Sequence, residues 1–262
     1  MNGIKDAQRI VVKVGTSTLT YDTCKMNLHR MSKLTQVLSD LRNSGIEVTL
    51  VTSAAIAVGV GKLGLKERPS DVQGRQAAAM VGQCELMFMY DKLFSEYGNT
   101  IGQLLITRSD FENDERRKNL SNSFEKLFEY GAIPVVNEND SIAVEEIVFG
   151  DNDTLSAMVA RLVGADALII LTDIDGLYSG NPREDADARL IPVVEDITED
   201  TMSIADTKGS YRGTGGMVTK LHAAKIATEA GIDTVVMNGA NPEDLYRLLE
   251  GRPVGTYFKA KA

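Results

Sequence analysis

A glycine-rich run that leads into a helical segment is the part of this sequence best suited to hold a phosphate group. Residues 213–220 read Gly-Thr-Gly-Gly-Met-Val-Thr-Lys, and the helical pattern after them ends at Gly231. The glycines allow consecutive backbone N–H groups to converge on one anion, the helix start contributes its positive end, and Lys220 adds a full charge. The spacing differs from that of a P-loop, which requires G-x-x-x-x-G-K-[ST]. A glycine-rich surface loop before an ordinary helix is the alternative interpretation.

A second cation stands at the end of the first apolar run, in Val-Val-Lys-Val-Gly-Thr-Ser over 11–17. Because an unpaired lysine is costly to bury, Lys13 needs either an anionic partner or a path to water. A similar turn at 51–56 leaves a strand for a helix and places Ser53 near its start. A serine at such a position is commonly a helix N-cap, so Ser53 is either a cap or a ligand contact.

Two segments rich in Asn and Asp occur further along the chain. Asn-Glu-Asn-Asp at 137–140 directly follows an apolar strand, and Gly-Asp-Asn-Asp at 150–153 opens a helix. Asn and Asp favour turns and caps, which explains either segment alone. Together they concentrate carboxylates and amides near strand ends, where they could hold an ammonium group, orient lysines or coordinate a metal through water. Thr172 and Asp173 follow another strand, at a position where a nucleotide could lie.

Alternating strands and helices must position these side chains. Apolar runs rich in Val and Ile predict strands at 9–14, 46–52, 100–106, 132–136, 167–171 and 232–237. Helical patterns lie at 28–41, 71–97, 114–130, 151–163, 218–230 and 242–250. Strands that are almost wholly apolar and alternate with helices indicate an α/β fold with a mostly parallel sheet covered on both faces. Such sheets bind ligands at the carboxyl ends of their strands.

Two stretches depart from this alternation. Residues 141–150 alternate apolar and acidic positions, which predicts a β-hairpin beside the site. Residues 176–213 are rich in Asp, Gly and Pro and predict a long connection with short elements, of the kind that often covers a binding site. No linker composition separates two domains, so we expect residues 1–262 to form a single domain with two lobes.

The composition narrows the class of protein. A formal net charge of −9 argues against nucleic acid as the main ligand, because phosphate backbones are bound by basic surfaces. No apolar run reaches the roughly 18 residues of a membrane span. The N-terminus also lacks a signal-peptide pattern, so we expect a cytoplasmic protein. Cys24 and Cys84 indicate neither a disulfide framework nor a zinc site.

Two further patterns carry no functional prediction. The G-x-G-x-x-G match at 59–64 begins seven residues (59 − 52) after the strand that ends at Thr52, whereas a dinucleotide-binding loop follows its strand directly. His29 and His222 are isolated on helical patterns, so neither predicts a catalytic base.

These motifs, in this order, resemble the amino acid kinase family. The resemblance covers about 9–258, and it is carried by Val-Gly-Thr-Ser after Lys13, Gly-Asp-Asn-Asp at 150–153 and Gly-Thr-Gly-Gly-Met-x-Thr-Lys at 213–220. It implies one three-layer α/β/α sandwich, in which a lobe at about 1–150 binds an amino acid and a lobe at about 151–262 binds ATP. Within the family, the sequence is most similar to members that phosphorylate the γ-carboxylate of L-glutamate, the first step of proline biosynthesis.

The resemblance also implies roles for single residues. It places Lys13 and Lys220 around the transferring phosphoryl group, with Asp153 holding both lysines in position. Glutamate binding falls to Ser53, Ala54, Asp140 and Asn152. ATP binding falls to Lys13, Thr172, Asp173, Thr214, Gly215, Gly216, Met217, Val218, Thr219 and Lys220. Mg²⁺ is expected mainly on the ATP phosphates, with no metal site of the protein's own, and the family suggests homo-oligomers and feedback inhibition by proline.

Two departures from the family pattern bear on function. Members usually have Gly after the serine of the second loop, whereas this sequence has Ala54, where a positive φ would cost about 1–2 kcal/mol and the methyl could crowd the substrate. The sequence ends at Ala262, so we expect the C-terminal RNA-modification-type (PUA) domain of many relatives to be missing. Two alternatives stay open: a sibling kinase for aspartate, N-acetylglutamate, carbamate or a nucleoside monophosphate, and a non-catalytic regulator that binds glutamate or proline.

Overall fold

The computed structural model describes residues 2–142, 152–182, 185, 187–205 and 216–261. Its strands are β1 (Arg9–Val14), β2 (Glu47–Val51), β3 (Ile101–Ile106), β4 (Ile133–Glu138), β5 (Ala167–Thr172), β6 (Val193–Val194), β7 (Asp233–Asn238) and β8 (Thr256–Phe258). Its helices are α1 (Asn2–Lys5), α2 (Thr16–Leu19), α3 (Leu28–Asn43), α4 (Ala55–Leu63), α5 (Val72–Ser95), α6 (Arg108–Glu112), α7 (Asp114–Glu129), α8 (Asn152–Val163), α9 (Glu199–Ala205), α10 (Met217–Glu229) and α11 (Asp244–Leu249).

Within these residues the strands form one sheet in the order β3-β4-β2-β1-β5-β7-β8-β6. Every neighbouring pair from β3 to β7 is parallel, whereas β8 runs antiparallel to β7 and parallel to β6. The parallel strands therefore end at a common edge, where α/β proteins bind their ligands. At that edge β1 lies in the middle of the row, between β2 and β5.

Side chains that alternate along β1 separate two hydrophobic cores. Val12 and Val14 belong to a buried cluster with residues of α3, α5 and α11, whereas Val11 belongs to a cluster with residues of α7, α8 and α10. Helices thus cover both faces, and the predicted three-layer α/β/α architecture is confirmed. Because side chains alternate along a strand, Lys13 leaves β1 on the same face as Val11, toward α8 and α10.

All six predicted strands and all six predicted helices are present, with ends shifted by a few residues. The sequence did not predict β6 or β8, which are short and depend on pairing with distant segments. The described part of the predicted long connection carries β6, α9 and an antiparallel bridge between Tyr178 and Leu190. Ser141 and Ile142 of the predicted hairpin lie in a turn, and 143–150 lie outside the described residues.

Helices α4 and α5 pack with their backbones in contact, and glycines make this possible. A Cβ atom on Gly59 would lie 1.8 Å from the carbonyl oxygen of Ala78, and one on Gly82 would lie 1.8 Å from that of Ala55. Gly59 opens the G-x-G-x-x-G match that carried no functional prediction. Its lack of a side chain is accounted for by this helix contact, which fixes α4 and α5 relative to each other.

Among the described residues, no helix combines the length and the apolar character needed to cross a lipid bilayer.

Candidate active site

One buried carboxylate joins two lysines that come from different parts of the fold. Asp153, near the start of α8, has no solvent exposure. Its Oδ1 lies 2.5 Å from Nζ of Lys13 on β1, and its Oδ2 lies 3.1 Å from Nζ of Lys220 on α10. The Thr219 hydroxyl lies 2.8 Å from the same Oδ2. Both lysines are themselves buried, so the predicted need of Lys13 for an anionic partner is confirmed and the path to water is wrong.

The electrostatics of this group keep Asp153 ionised. Burial by itself would raise the pKa of Asp153, but the charges of Lys13 and Lys220 and hydrogen bonds from Lys13 and Thr219 outweigh burial and lower the pKa to about 2. Buried ion pairs contribute little net stability, because desolvation offsets much of their attraction. A buried carboxylate between two lysines at the ligand-binding edge is therefore better explained by function than by stability.

The glycine-rich run is described only from Gly216 onward. Gly216 is the N-cap of α10 in an extended conformation, and Met217, Val218 and Thr219 form the first turn of the helix before Lys220. Thr214 and Gly215 lie outside the described residues, so the convergence of their N–H groups on a phosphate stays a prediction. The described half does place the helix start beside Asp153, through Thr219.

A second polar group forms around the side-chain amide of Asn152, on the β2 and β4 side of β1. Its Nδ2 lies 2.9 Å from the carbonyl oxygen of Thr52, 3.0 Å from Oγ of Ser53 and 3.0 Å from Oδ1 of Asn137. Nδ2 of Asn137 in turn donates to Oε1 of Gln83 over 2.8 Å. Ser53 and Asn152, predicted to bind the same ligand, are thus in direct contact.

A cleft opens next to this amide group. Its lining includes Gln83 from α5, Glu138 from the end of β4, and Asp140 from the turn that follows. Burial raises the pKa of the Asp140 carboxyl, and the positive charge of Arg68, on the connection between α4 and α5, opposes that rise. A half-buried carboxylate in a cleft is suited to bind an ammonium group.

Ala54, which replaces the glycine usual in the family, has the left-handed backbone conformation that favours glycine. It is the N-cap of α4, with φ 83° and ψ 2°, and no side chain caps the helix there. The alternative of Ser53 as the N-cap is therefore wrong. Ala54 is buried and its side chain belongs to the core cluster on the α3 and α5 face.

Thr172 and Asp173 lie at the ligand-binding edge on the other side of β1. Thr172 ends β5, its hydroxyl lies 3.2 Å from Oδ1 of Asp173, and its carbonyl accepts from the backbone N–H of Gly239 after β7. Asp175 accepts from Nδ2 of Asn238 over 2.9 Å and from the Tyr178 hydroxyl over 3.0 Å. The sequence did not predict this contact between Asp175 and β7.

Gln83 is the site residue that sequence reasoning missed. It lies on the buried stripe of α5, four residues after Ala79, three before Leu86 and seven before Tyr90. That spacing marks one helix face, on which a glutamine is the polar exception. The signal was therefore present in the sequence, as an amide at a core-facing position of a predicted helix.

Among the described residues, no group of three or more His, Cys, Asp or Glu side chains is arranged to hold a metal ion. Both oxygens of Asp153 face lysines instead.

Comparison with known proteins identifies the family of this chain. Residues 8–238 match the profile described as Amino acid kinase family. The chain belongs to the amino acid kinase family. Within this family it is 53% identical to glutamate 5-kinase of Clostridium perfringens, over 98% of this chain and 97% of the relative. It is 52% identical to glutamate 5-kinase of Clostridium tetani, over 98% of this chain and 96% of the relative.

A solved structure of the family fold agrees with the architecture. The chain superposes on isopentenyl phosphate kinase of T. acidophilum with a TM-score of 0.69 at 18% identity, covering 96% of this chain and all of the other. At this identity the similarity supports the amino acid kinase fold alone.

Proposed function

We propose that this protein transfers the γ-phosphoryl group of ATP to the γ-carboxylate of L-glutamate, giving L-glutamyl 5-phosphate and ADP at the first step of proline biosynthesis. The observation that carries the proposal is the contact of Asp153 with both Lys13 and Lys220 at the ligand-binding edge. The two Clostridium relatives named glutamate 5-kinase support the choice of acceptor.

The chemistry needs no general base. A side-chain carboxylate with a pKa of about 4.3 is ionised at neutral pH, so a γ-carboxylate oxygen attacks the γ-phosphorus directly while the bond to the bridging oxygen of ADP breaks. Catalysis then depends on alignment and on neutralising charge on the transferring group. Lys13 and Lys220 supply that positive charge, and Asp153 holds the two ammonium groups in place without entering the reaction.

The order of strands supports two lobes that meet at β1. Ser53, the backbone of Ala54, Asp140 and Asn152 would bind glutamate on the β2 and β4 side, in the lobe at about 1–150. Thr172, Asp173 and residues 214–220 would bind ATP on the β5 and α10 side, in the lobe at about 151–262. Two strand spacings, about 10 Å, separate β4 from β1, which leaves room for an amino acid between Asp140 and Lys13.

The metal ion of the reaction would enter this site bound to the nucleotide. Mg²⁺ bound to the ATP phosphates would neutralise part of their charge, and phosphates commonly provide several of its ligands. Asp153 is unsuited to bind it, because its two oxygens face the ammonium groups of Lys13 and Lys220.

Assembly, regulation and location complete the proposal. On α5, Met80, Cys84 and Phe88 are exposed at four-residue spacing and form an apolar stripe. This stripe supports a homo-oligomer, either a dimer or a tetramer, and Phe88→Glu is expected to lower the mass measured by light scattering. Feedback inhibition by proline and a cytoplasmic location are part of the same proposal.

The direct test is ATP-dependent formation of γ-glutamyl hydroxamate in the presence of Mg²⁺ and hydroxylamine. Glutamate-dependent product is expected, and its absence with folded protein would contradict the proposed function. Turnover with aspartate and N-acetylglutamate separates the sibling activities. Lys220→Ala serves as the matched inactive control, since it should reduce kcat strongly while calorimetry still detects glutamate binding; an equal loss of both would mean that Lys220 acts in glutamate binding.

The non-catalytic alternative is not favoured. A protein that only bound glutamate or proline would have little use for Lys13, Asp153 and Lys220 in mutual contact. Ala54, which raised this alternative, packs its side chain into the core.

A further inference from the structure

Backbone groups fix the orientation of three side-chain amides in the acceptor half of the site. Nδ2 of Asn152 faces the carbonyl oxygen of Thr52, which can only accept a hydrogen bond. Oδ1 of Asn137 accepts from the backbone N–H of Glu138 over 2.9 Å, which can only donate. Nδ2 of Asn137 is therefore a donor, and the atom of Gln83 that faces it must be the oxygen.

This assignment leaves the other end of the Gln83 amide as a pair of N–H donors. Gln83 is 9% exposed and its Nε2 is buried, yet within the described residues this nitrogen has no hydrogen-bond partner. Buried amide donors are normally satisfied, so an unsatisfied one calls for an explanation. Because Gln83 also lines the cleft that contains Asp140, a bound ligand is the natural acceptor.

We propose that Nε2 of Gln83 binds the α-carboxylate of the acceptor amino acid, and that Gln83 thereby selects for a substrate with that group. This inference rests on the proposed function. Of the three polar groups of glutamate, the γ-carboxylate must lie near Lys13 to react, and the ammonium group cannot accept a hydrogen bond. The α-carboxylate remains, and it would lie beside the ammonium group that Asp140 binds.

The position of Gln83 in the fold agrees with this assignment. Gln83 is on α5, and its hydrogen-bond partner Asn137 lies on β4, two strands away from β1 and Lys13. An amino acid that spans this distance has its α-carbon at the β4 end and its reactive carboxylate at the β1 end. Through Asn137 the same glutamine also holds Asn152, so α-carboxylate binding is linked to the residues that align the substrate.

The test compares two variants of Gln83 with a matched surface control. Gln83→Met removes both the donor and the acceptor, whereas Gln83→Glu retains an oxygen for Asn137 and loses the amide donor. We expect each to raise the KM for glutamate by roughly 10- to 100-fold, as for a lost hydrogen bond to a charged group, with the KM for ATP changed less than about threefold. Gln36→Glu, exposed on α3, should change neither value.

A substrate analogue then identifies the group that Gln83 contacts. 4-Aminobutanoate keeps the amino group and the reactive carboxylate of glutamate but lacks the α-carboxylate. Its inhibition constant should change less than about threefold between wild type and Gln83→Met. An unchanged KM for glutamate in both variants, or an equal loss for glutamate and 4-aminobutanoate, overturns the inference. If wild type lacked turnover, the proposed function would fail, and calorimetry with glutamate would still decide the role of Gln83.

Discussion

Asp153 is fully buried between two lysines, so its loss would remove the counter-charge that these two buried side chains share. We expect Asp153→Asn to lower the free energy of unfolding by about 3–5 kcal/mol at neutral pH, measured by urea denaturation. Asp114→Asn, at an exposed carboxylate of α7, should cost less than about 1 kcal/mol. A similar loss in the two variants would contradict the role given to Asp153.

The unfolding free energies of wild type and Asp153→Asn should become more similar at acidic pH. The pKa of Asp153 is about 2 in the folded protein, below its ordinary value of 3.8. A depressed pKa stabilises the fold above pH 3.8, and this contribution, of about 2 kcal/mol, is lost as the pH falls toward 2. The difference in unfolding free energy between wild type and Asp153→Asn is therefore expected to narrow from pH 5 to pH 3.

Ala54 combines a strained backbone with a well-packed side chain. Its left-handed conformation costs about 1–2 kcal/mol. Ala54→Gly would relieve that strain but would lose a buried methyl worth about 0.8 kcal/mol and add unfolded-chain entropy of about 0.5–1 kcal/mol. The net change in unfolding free energy should thus stay within about 1 kcal/mol of zero. A gain of more than about 2 kcal/mol would show that the core contact of the methyl contributes little.

Protonation of Asp140 is expected to set the acidic limb of the pH profile of kcat/KM for glutamate. Its raised pKa means that the carboxylate is protonated, and its hold on the ammonium group lost, at a higher pH than for a free aspartate. Arg68→Gln removes a charge that lowers this pKa, so the acidic limb of kcat/KM for glutamate should move to higher pH. Arg252→Gln, exposed after α11, should leave the limb in place, and titration of glutamate itself is common to all three proteins. A limb that does not move in Arg68→Gln would mean that Asp140 does not bind the substrate.

At the scale of elements, the backbone contact between α4 and α5 connects stability to acceptor binding. A methyl at Gly82 would meet the backbone of Ala55 and Gly59, which cannot rotate away as a side chain can. We expect Gly82→Ala to cost about 2 kcal/mol or more despite the better helix propensity of alanine. Because α4 begins next to Ser53 and α5 carries Gln83, the KM for glutamate should also rise. Lys92→Ala, exposed on α5, is the control, and equal behaviour of the two variants would refute the contact.

The sequence could predict most elements but few of their contacts. The strands that form the parallel sheet are local apolar runs, and each helix repeats its apolar residues at helical spacing, so both kinds of element leave a pattern in nearby residues. β8 leaves no such pattern, because its three residues become a strand through pairing with β7 and β6, which are distant in the sequence or too short to predict. The need for small residues at Gly59 and Gly82 likewise depends on how two helices approach each other, which periodicity does not encode.

At the scale of the whole molecule, the proposed glutamate and ATP sites lie on opposite sides of β1. Each ligand alone should therefore raise the unfolding midpoint, and glutamate with a non-hydrolysable ATP analogue should stabilise nearly additively, each by about 2.7 kcal/mol at 100 times its Kd. Lys220→Ala should reduce the effect of the nucleotide and spare that of glutamate. Stabilisation by glutamate only when the nucleotide is present would argue against two separately formed sites.

The site as a whole shows where prediction from sequence ends. The chemistry of burial predicts that Lys13 needs an anionic partner, but nothing in its neighbourhood predicts that the partner is Asp153; that pairing came from family resemblance. Gln83 was readable as a polar exception on an apolar stripe. That its N–H donors lack a partner among the described residues follows only from the hydrogen bonds of Asn137 and Glu138. Spatial pairing of distant residues is the information that a single sequence lacks.

The row of parallel strands has a consequence for how new activities arise on this fold. Recognition of the α-carboxylate and the ammonium group is proposed to lie with α5 and the turn after β4, whereas Lys13, which shares Asp153 with Lys220, lies two strands away on β1. Substitutions at Gln83 or Asp140 are therefore expected to exchange one phosphoryl acceptor for another while Lys13, Asp153 and Lys220 stay in contact. A fold divided in this way lets natural variation, or a protein engineer, explore new substrates while the catalytic apparatus is inherited intact.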